Sequence, residues 1–168
     1  MTTDPTQVYR KQRRLARTSA LQFLYQADVQ DHWEMDEPDA LERHWMQTLD
    51  EHGANDVPQP RKARGYMRKL IEGVCQYRDE LDEEISRHAA NWQLKRMTVV
   101  DRNILRLAAF EIFHCPGTPS VTAVNEAVEL AKGFGDAESG SFVNGILDSL
   151  LRDRKTKNGN PPHDRSST

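Results

Sequence analysis

Residues 98–114, TVVDRNILRLAAFEIFH, constrain this chain more than any other stretch. They are apolar nearly all round at helical period, and a helix of that kind must be packed on several sides. Whatever surrounds it has to come from the rest of the sequence, and the rest reads as helices. Ala16, Ala20, Phe23 and Ala27 fall on one face of a first helix. Leu70, Val74, Tyr77, Leu81 and Ile85 do the same in a helix starting near Ala63. In SVTAVNEAVELAKGFG, residues Val124, Ala127, Val128 and Ala131 recur at helical spacing, with Ser120 as the expected cap and Gly133 or Gly135 as the expected stop. SFVNGILDSLLRD supplies a last helix. Thr98 and Asp101 resemble a capping box at the start of the central helix, with Asp in place of the usual Glu. Few β-branched clusters alternate with period two, and no internal repeat is present. The expected fold class is all-α.

A length of 168 residues suits one domain, or two small subdomains sharing a core. The formal net charge of −3 carries no nucleic-acid signal by itself, so any basic site must be local. Charge does fall in blocks. No Asp or Glu occurs from Pro5 to Ala27, whereas Asp28 to Asp56 holds ten acidic residues against one basic, Arg43. Positive charge returns with Arg61, Lys62, Arg64, Arg68 and Lys69. Between the last two blocks EHGANDVPQP has loop chemistry, and the end, RDRKTKNGNPPHDRSST, reads as a disordered polar tail. The two cysteines, Cys75 and Cys115, lack a CxxC and fit a reduced chain better than a lone disulfide. No apolar run is long enough to span a membrane, and the N-terminus has no apolar core of a signal peptide. A cytoplasmic location is expected.

The acid-free block contains a pattern. Arg10, Arg13, Arg14 and Arg17 have spacing i, i+3, i+4 and i+7, an arc of about 100° on a helix. The apolar set falls to one side of that arc, so the helix can bury one face and present an arginine row on another. The row sits at the helix N-terminus, where the macrodipole already disfavours cations by a few tenths of a kcal/mol each, roughly. Such a row makes sense if an anion arrives. Arginine's planar fork suits phosphates, and the arc continues toward Tyr25, an aromatic near the charges. Charge for the backbone with rings for the bases is how single-stranded RNA is gripped. A solvated basic face, or arginines paired with the acidic block that follows, remains the alternative.

Catalytic signatures fail on inspection. GSFVNG has the spacing of two P-loop glycines, but Ile146 and Leu147 stand where Lys and Ser/Thr should follow. The six histidines are scattered, and none pairs at helical spacing with a second His or Cys to hold a metal. His114 reads as a helix C-terminal residue favourable to the dipole. Glu111 and Glu126 lie in apolar contexts and are expected to pair with a neighbour such as Arg106 or Lys132. No enzyme, cofactor or metal is expected.

RRLARTSALQFLYQ at one end, with DRNILRLAAFEIF, VNEAVELAKGFG and SFVNGILDSLL at the other, resembles the NusB family of bacterial transcription antitermination factors. The resemblance runs from about residue 10 to 152 and is loosest from about 28 to 65. It implies two small helical bundles packed together, here expected as an N-terminal subdomain (1–84), a C-terminal subdomain (85–153) and a tail (154–168). It implies binding of single-stranded boxA RNA, partnership with NusE (a small-subunit ribosomal protein), and a place in an RNA polymerase antitermination complex. By the same resemblance Arg13, Arg14 and Arg17, with Arg10 before them, match an arginine-rich RNA-binding motif. Tyr25, Arg106 and Phe142 match positions near the RNA, and Asp101 and Glu138 match acidic positions facing NusE. Leu15 and Ser141 stand where other members often carry a basic residue. Two alternatives stay open. One is a homodimeric scaffold whose arginine face is covered by its twin; the other is a helical domain related to ribosomal RNA methyltransferases, without their catalytic part.

Overall fold

The computed structural model describes residues 4–53 and 56–158. Among them the regular structure is entirely helical: α1 (Pro5–Gln30), α2 (Ala40–Thr48), α3 (Arg64–His88), α4 (Val99–His114), α5 (Ser120–Phe134) and α6 (Ser139–Asn158). A π-turn at Leu49–Gly53 continues α2, and 3₁₀ turns at Pro60–Ala63 and Leu94–Arg96 lead into α3 and α4.

Local chemistry sets the helix ends. Asp4 accepts a hydrogen bond from the Thr6 amide at 3.0 Å and Pro5 takes the first turn, where its missing N–H is no loss. At the other end of α1, Asp31 adopts φ 50 and ψ 42. The amides of Asp31 and His32 then donate back to Asp28 O and Ala27 O, which is the Schellman pattern with Asp in the place glycine usually takes. Thr98 caps α4 as the sequence suggests, accepting from the Asp101 amide at 3.1 Å. Ser120 does not cap α5; Pro119 holds that position and Ser120 begins the helix. Gly135, rather than Gly133, ends it.

Helix α4 is central. Ile104, Leu105, Leu107, Ala108, Ala109, Phe110 and Ile112 are all buried, and α4 packs on α1, α3, α5 and α6. The tightest approach is at Gly73 of α3, where a Cβ would sit 2.0 Å from the Phe110 ring. Glycine is required there to let the ring lie on the α3 backbone. From α1, Leu15, Ala16, Ala20, Leu21 and Leu24 enter the same core, and Trp45 closes it from α2. The division expected at 84/85 falls in the last turn of α3, and α6 runs through Arg154 to Asn158. The remainder of the expected tail, 159–168, lies outside the described residues.

Candidate nucleic-acid interface

Helix α1 carries its arginines into four different environments. Arg17 is buried, and its Nε and Nη2 donate to the two Glu111 oxygens at 2.7 and 2.8 Å. Burial works against its charge, yet the paired hydrogen bonds to Glu111 hold the guanidinium pKa above its ordinary value. The Tyr66 hydroxyl donates to the same carboxylate at 2.5 Å. Burial, and then the Glu111 charge, push that phenol pKa up, so Tyr66 remains a donor. Arg14 makes a similar fork with Glu126, 3.0 Å on each arm, but its side chain is 51% exposed. That fork uses Nε and Nη2 and does not engage Nη1. Arg13 lies 3.5 Å from the Tyr66 ring centroid and donates from Nε to the Tyr9 hydroxyl at 2.8 Å, with no carboxylate partner among the described residues. Arg10 and Lys11 are exposed, and neither has an ion-pair partner among the described residues.

The four arginines therefore do not form one free row. Arg17 points into the core, contrary to the expectation from spacing, because its face of α1 is the one that packs on α4. What α1 presents outward is Arg10, Lys11, Arg13 and one edge of Arg14, with the exposed ring of Tyr9 among them. The neutralising carboxylates also differ from those expected. Glu111 and Glu126 pair with Arg17 and Arg14, not with Arg106 or Lys132.

Arg106 is likewise no free cation. Its guanidinium donates to both Asp82 oxygens at 2.7 and 3.0 Å, to Asp28 at 2.9 Å and to Asn103 Oδ1 at 3.0 Å. Asp28 also accepts from Arg102 and Asn103. Burial opposes its charge, but Arg102, Asn103 and Arg106 together hold its carboxyl below the usual range. The start of the acidic block is thus structural, since Asp28 ties the end of α1 to α4. Trp33 stacks over this cluster, 4.3 Å from Arg78 and 5.1 Å from Arg106.

The remaining expected residues lie on other surfaces. Tyr25 is exposed on α1 and lines a groove of about 480 Å³ with Leu21, Val100 and Phe134. Phe142, half-buried on α6, meets Trp92 nearly at right angles with centroids 6.1 Å apart. Asp101 is buried in the first turn of α4, and its Oδ1 has no hydrogen-bond partner among the described residues. Glu138 is exposed just ahead of α6, its amide bonded to Asp136. Tyr9, Lys11, Tyr66 and Trp92 escaped the sequence reading. The first two were within reach of it, since they continue the basic and aromatic pattern of α1.

Ligand-type atoms of Glu84, His88 and Asp153 lie within 4.8 Å of one another. Arg87 already donates to Glu84 at 2.6 Å, Lys157 lies 3.0 Å from Asp153, and Ser149 meets His88 Nδ1 at 2.8 Å. The group is an ion-pair cluster joining α3 to α6. Cys75 and Cys115 are both free thiols, and burial raises the Cys75 thiol pKa to about 11.

Fold and surface together define an all-helical protein packed about α4 that carries a cationic first helix, with part of that helix's charge locked into the core. The chain belongs to the NusB family, whose model matches residues 14–152. The transcription antitermination protein NusB of Syntrophus aciditrophicus is 40% identical over 162 residues, covering 94% of this chain and 93% of that one. The NusB of Bacillus subtilis is 42% identical over 141 residues, covering 84% and 95%. Among solved structures, T. maritima NusB superposes with a TM-score of 0.67 at 34% identity, covering 91% of this chain and 94% of that one. A complex described as antitermination factors NusB and NusE with dsRNA contains a chain that matches with a TM-score of 0.66 at 25% identity, covering 84% and 97%.

Proposed function

We propose that this protein is an RNA-binding transcription antitermination factor that holds single-stranded boxA RNA together with NusE, within an RNA polymerase antitermination complex in the cytoplasm. Family membership supports the class of function, and the solved relative in complex with NusE and dsRNA supports NusE and RNA as the kinds of partner. The observation that carries the RNA surface is the outward face of α1. Arg10, Lys11 and Arg13 have no carboxylate partner among the described residues, and Arg14 keeps one edge open beside the exposed Tyr9 ring. Cations with rings between them fit a phosphate backbone and its bases.

In this reading Arg13 and Arg14 meet phosphate, and Arg10 reinforces them from the preceding turn. Arg17 and Arg106 contribute by fixing α1 against α4 rather than by touching RNA. Tyr25 and Phe142 offer rings for stacking. Glu138 offers an exposed carboxylate to a basic partner, and charge complementarity of that kind speeds encounter. Asp101 serves the partner side through the start of α4. The role is binding rather than catalysis.

The test is fluorescence anisotropy of labelled boxA RNA titrated with the protein, with and without purified NusE, beside a scrambled RNA. Tighter binding of boxA than of the scramble, increased by NusE, is the expected result. Three or four phosphates neutralised should give a slope of log K on log salt of about −2 to −3. Equal binding of both RNAs with no effect of NusE would overturn the proposal.

A further inference from the structure

The segment joining α3 to α4 carries an indole and two cations that the fold does not use. In NWQLKR, residues 91–96, Trp92 is 53% exposed. Its ring contact among the described residues is Phe142, with planes 78° apart. An arrangement this close to perpendicular leaves indole surface uncovered. The segment is nonetheless held in place. The Trp92 amide donates to Ala89 O at 3.0 Å, Arg96 and Met97 close the 3₁₀ turn, and Met97 is buried. An indole on such a turn is presented in a fixed place, so a ligand that stacks on it loses little ordering entropy.

The neighbouring charges point to the ligand. Lys95 and Arg96 are exposed, and neither has a carboxylate within ion-pair distance among the described residues. Arg14, Arg17, Arg102 and Arg106, by contrast, are each paired. Two unneutralised cations within four residues of an open aromatic ring favour a polyanion with planar bases over a neutral protein surface. Phe142, offered as a stacking ring in the proposed function, is the ring that Trp92 meets.

We propose that Trp92, Lys95 and Arg96 form a second RNA-binding element: an unpaired base stacks on the Trp92 indole, whose orientation Phe142 fixes, while Lys95 and Arg96 meet the flanking phosphates. This rests on the RNA reading above and adds to it a site away from the arginine helix.

The same anisotropy titration, with the full chain and labelled single-stranded boxA RNA, tests it. Trp92→Ala should weaken binding about five- to a hundredfold with the salt slope unchanged, and Trp92→Phe should retain most of the affinity. Lys95→Gln with Arg96→Gln should flatten the slope by about 0.7 for each phosphate no longer neutralised. Tryptophan fluorescence should be quenched by RNA in the wild type and much less in Trp92→Phe. Because Trp92 is exposed, circular dichroism melts of these variants should match the wild type. Wild-type affinity in Trp92→Ala, or an RNA-insensitive Trp92 signal, would overturn the inference while leaving the arginine helix as the RNA site. Loss of NusE binding with RNA binding intact would also overturn it, assigning the patch to a protein partner. A wild-type protein that binds no RNA would instead overturn the functional reading on which it rests.

Discussion

Arg17 and Glu111 face each other in a buried site, with Tyr66 donating a third hydrogen bond to the shared carboxylate. Removing one member of such a pair strands the other as a buried, uncompensated charge, whereas removing both relieves the desolvation of each. Glu111→Ala should therefore cost about 3–5 kcal/mol in urea denaturation. Arg17→Met combined with Glu111→Leu should lose less than Glu111→Ala alone. A second residue-scale expectation concerns His44, whose ring nitrogen donates to Ser19 O at 2.7 Å. Burial depresses its pKa below the ordinary 6.5. The unfolded chain therefore takes up a proton before the folded one as pH falls. The stabilising contribution is complete above pH 6.5 and is lost on acidification through the lower, folded value. His44→Gln should flatten the dependence of Tm on pH in that window. An unchanged profile would mean that His44 does not titrate with unfolding.

At the scale of elements, α3 and α4 are as close as a glycine allows. Gly73→Ala would drive a methyl into the Phe110 ring, and overpacking of this kind costs about 1–3 kcal/mol. Thermal unfolding should show the loss, and Phe110→Leu in the same chain should restore part of it. Five of the six α-helices were legible in the sequence because periodicity and caps are local, whereas α2, inside the acidic block, was not. The all-round apolar run at 98–114 fixed α4 as central, and Thr98 capped it as its spacing suggested. The arginine spacing puts all four on one arc of α1, and Arg17 on that arc is buried, but spacing cannot say which part of the arc faces the core. That depends on α4 and α5, whose Glu111 and Glu126 lie 94 and 112 residues away from their partners. Asp28 was opaque for the same reason: its partners, Arg102, Asn103 and Arg106, begin 74 residues further on. Ser120 misled because Pro119 supplies an extended residue at the boundary and leaves the serine inside the helix.

For the whole molecule, the separation of outward from inward arginines predicts two kinds of mutant. Arg10→Gln and Arg13→Gln should leave the unfolding midpoint nearly unchanged and each flatten the salt slope of RNA binding by about 0.7. Arg17→Gln should lower the midpoint, with RNA binding at temperatures where the fold persists keeping its slope. Titrations across a salt series, beside urea melts of the same proteins, separate the two. If all three arginines altered the slope equally, Arg17 would have to leave its pocket on binding. The forks from α1 to Glu111 and Glu126 also have a consequence in time. The cationic helix is translated before its partners, and Glu126 follows Arg14 only 112 residues later. At typical bacterial elongation rates that delay is on the order of ten seconds. Until then Arg14 is without the carboxylate that restrains it in the finished fold. Formation of the α4 and α5 contacts is thus also the step that seats Arg17 and restrains Arg14, so the charge that α1 displays is set by residues synthesised long after it.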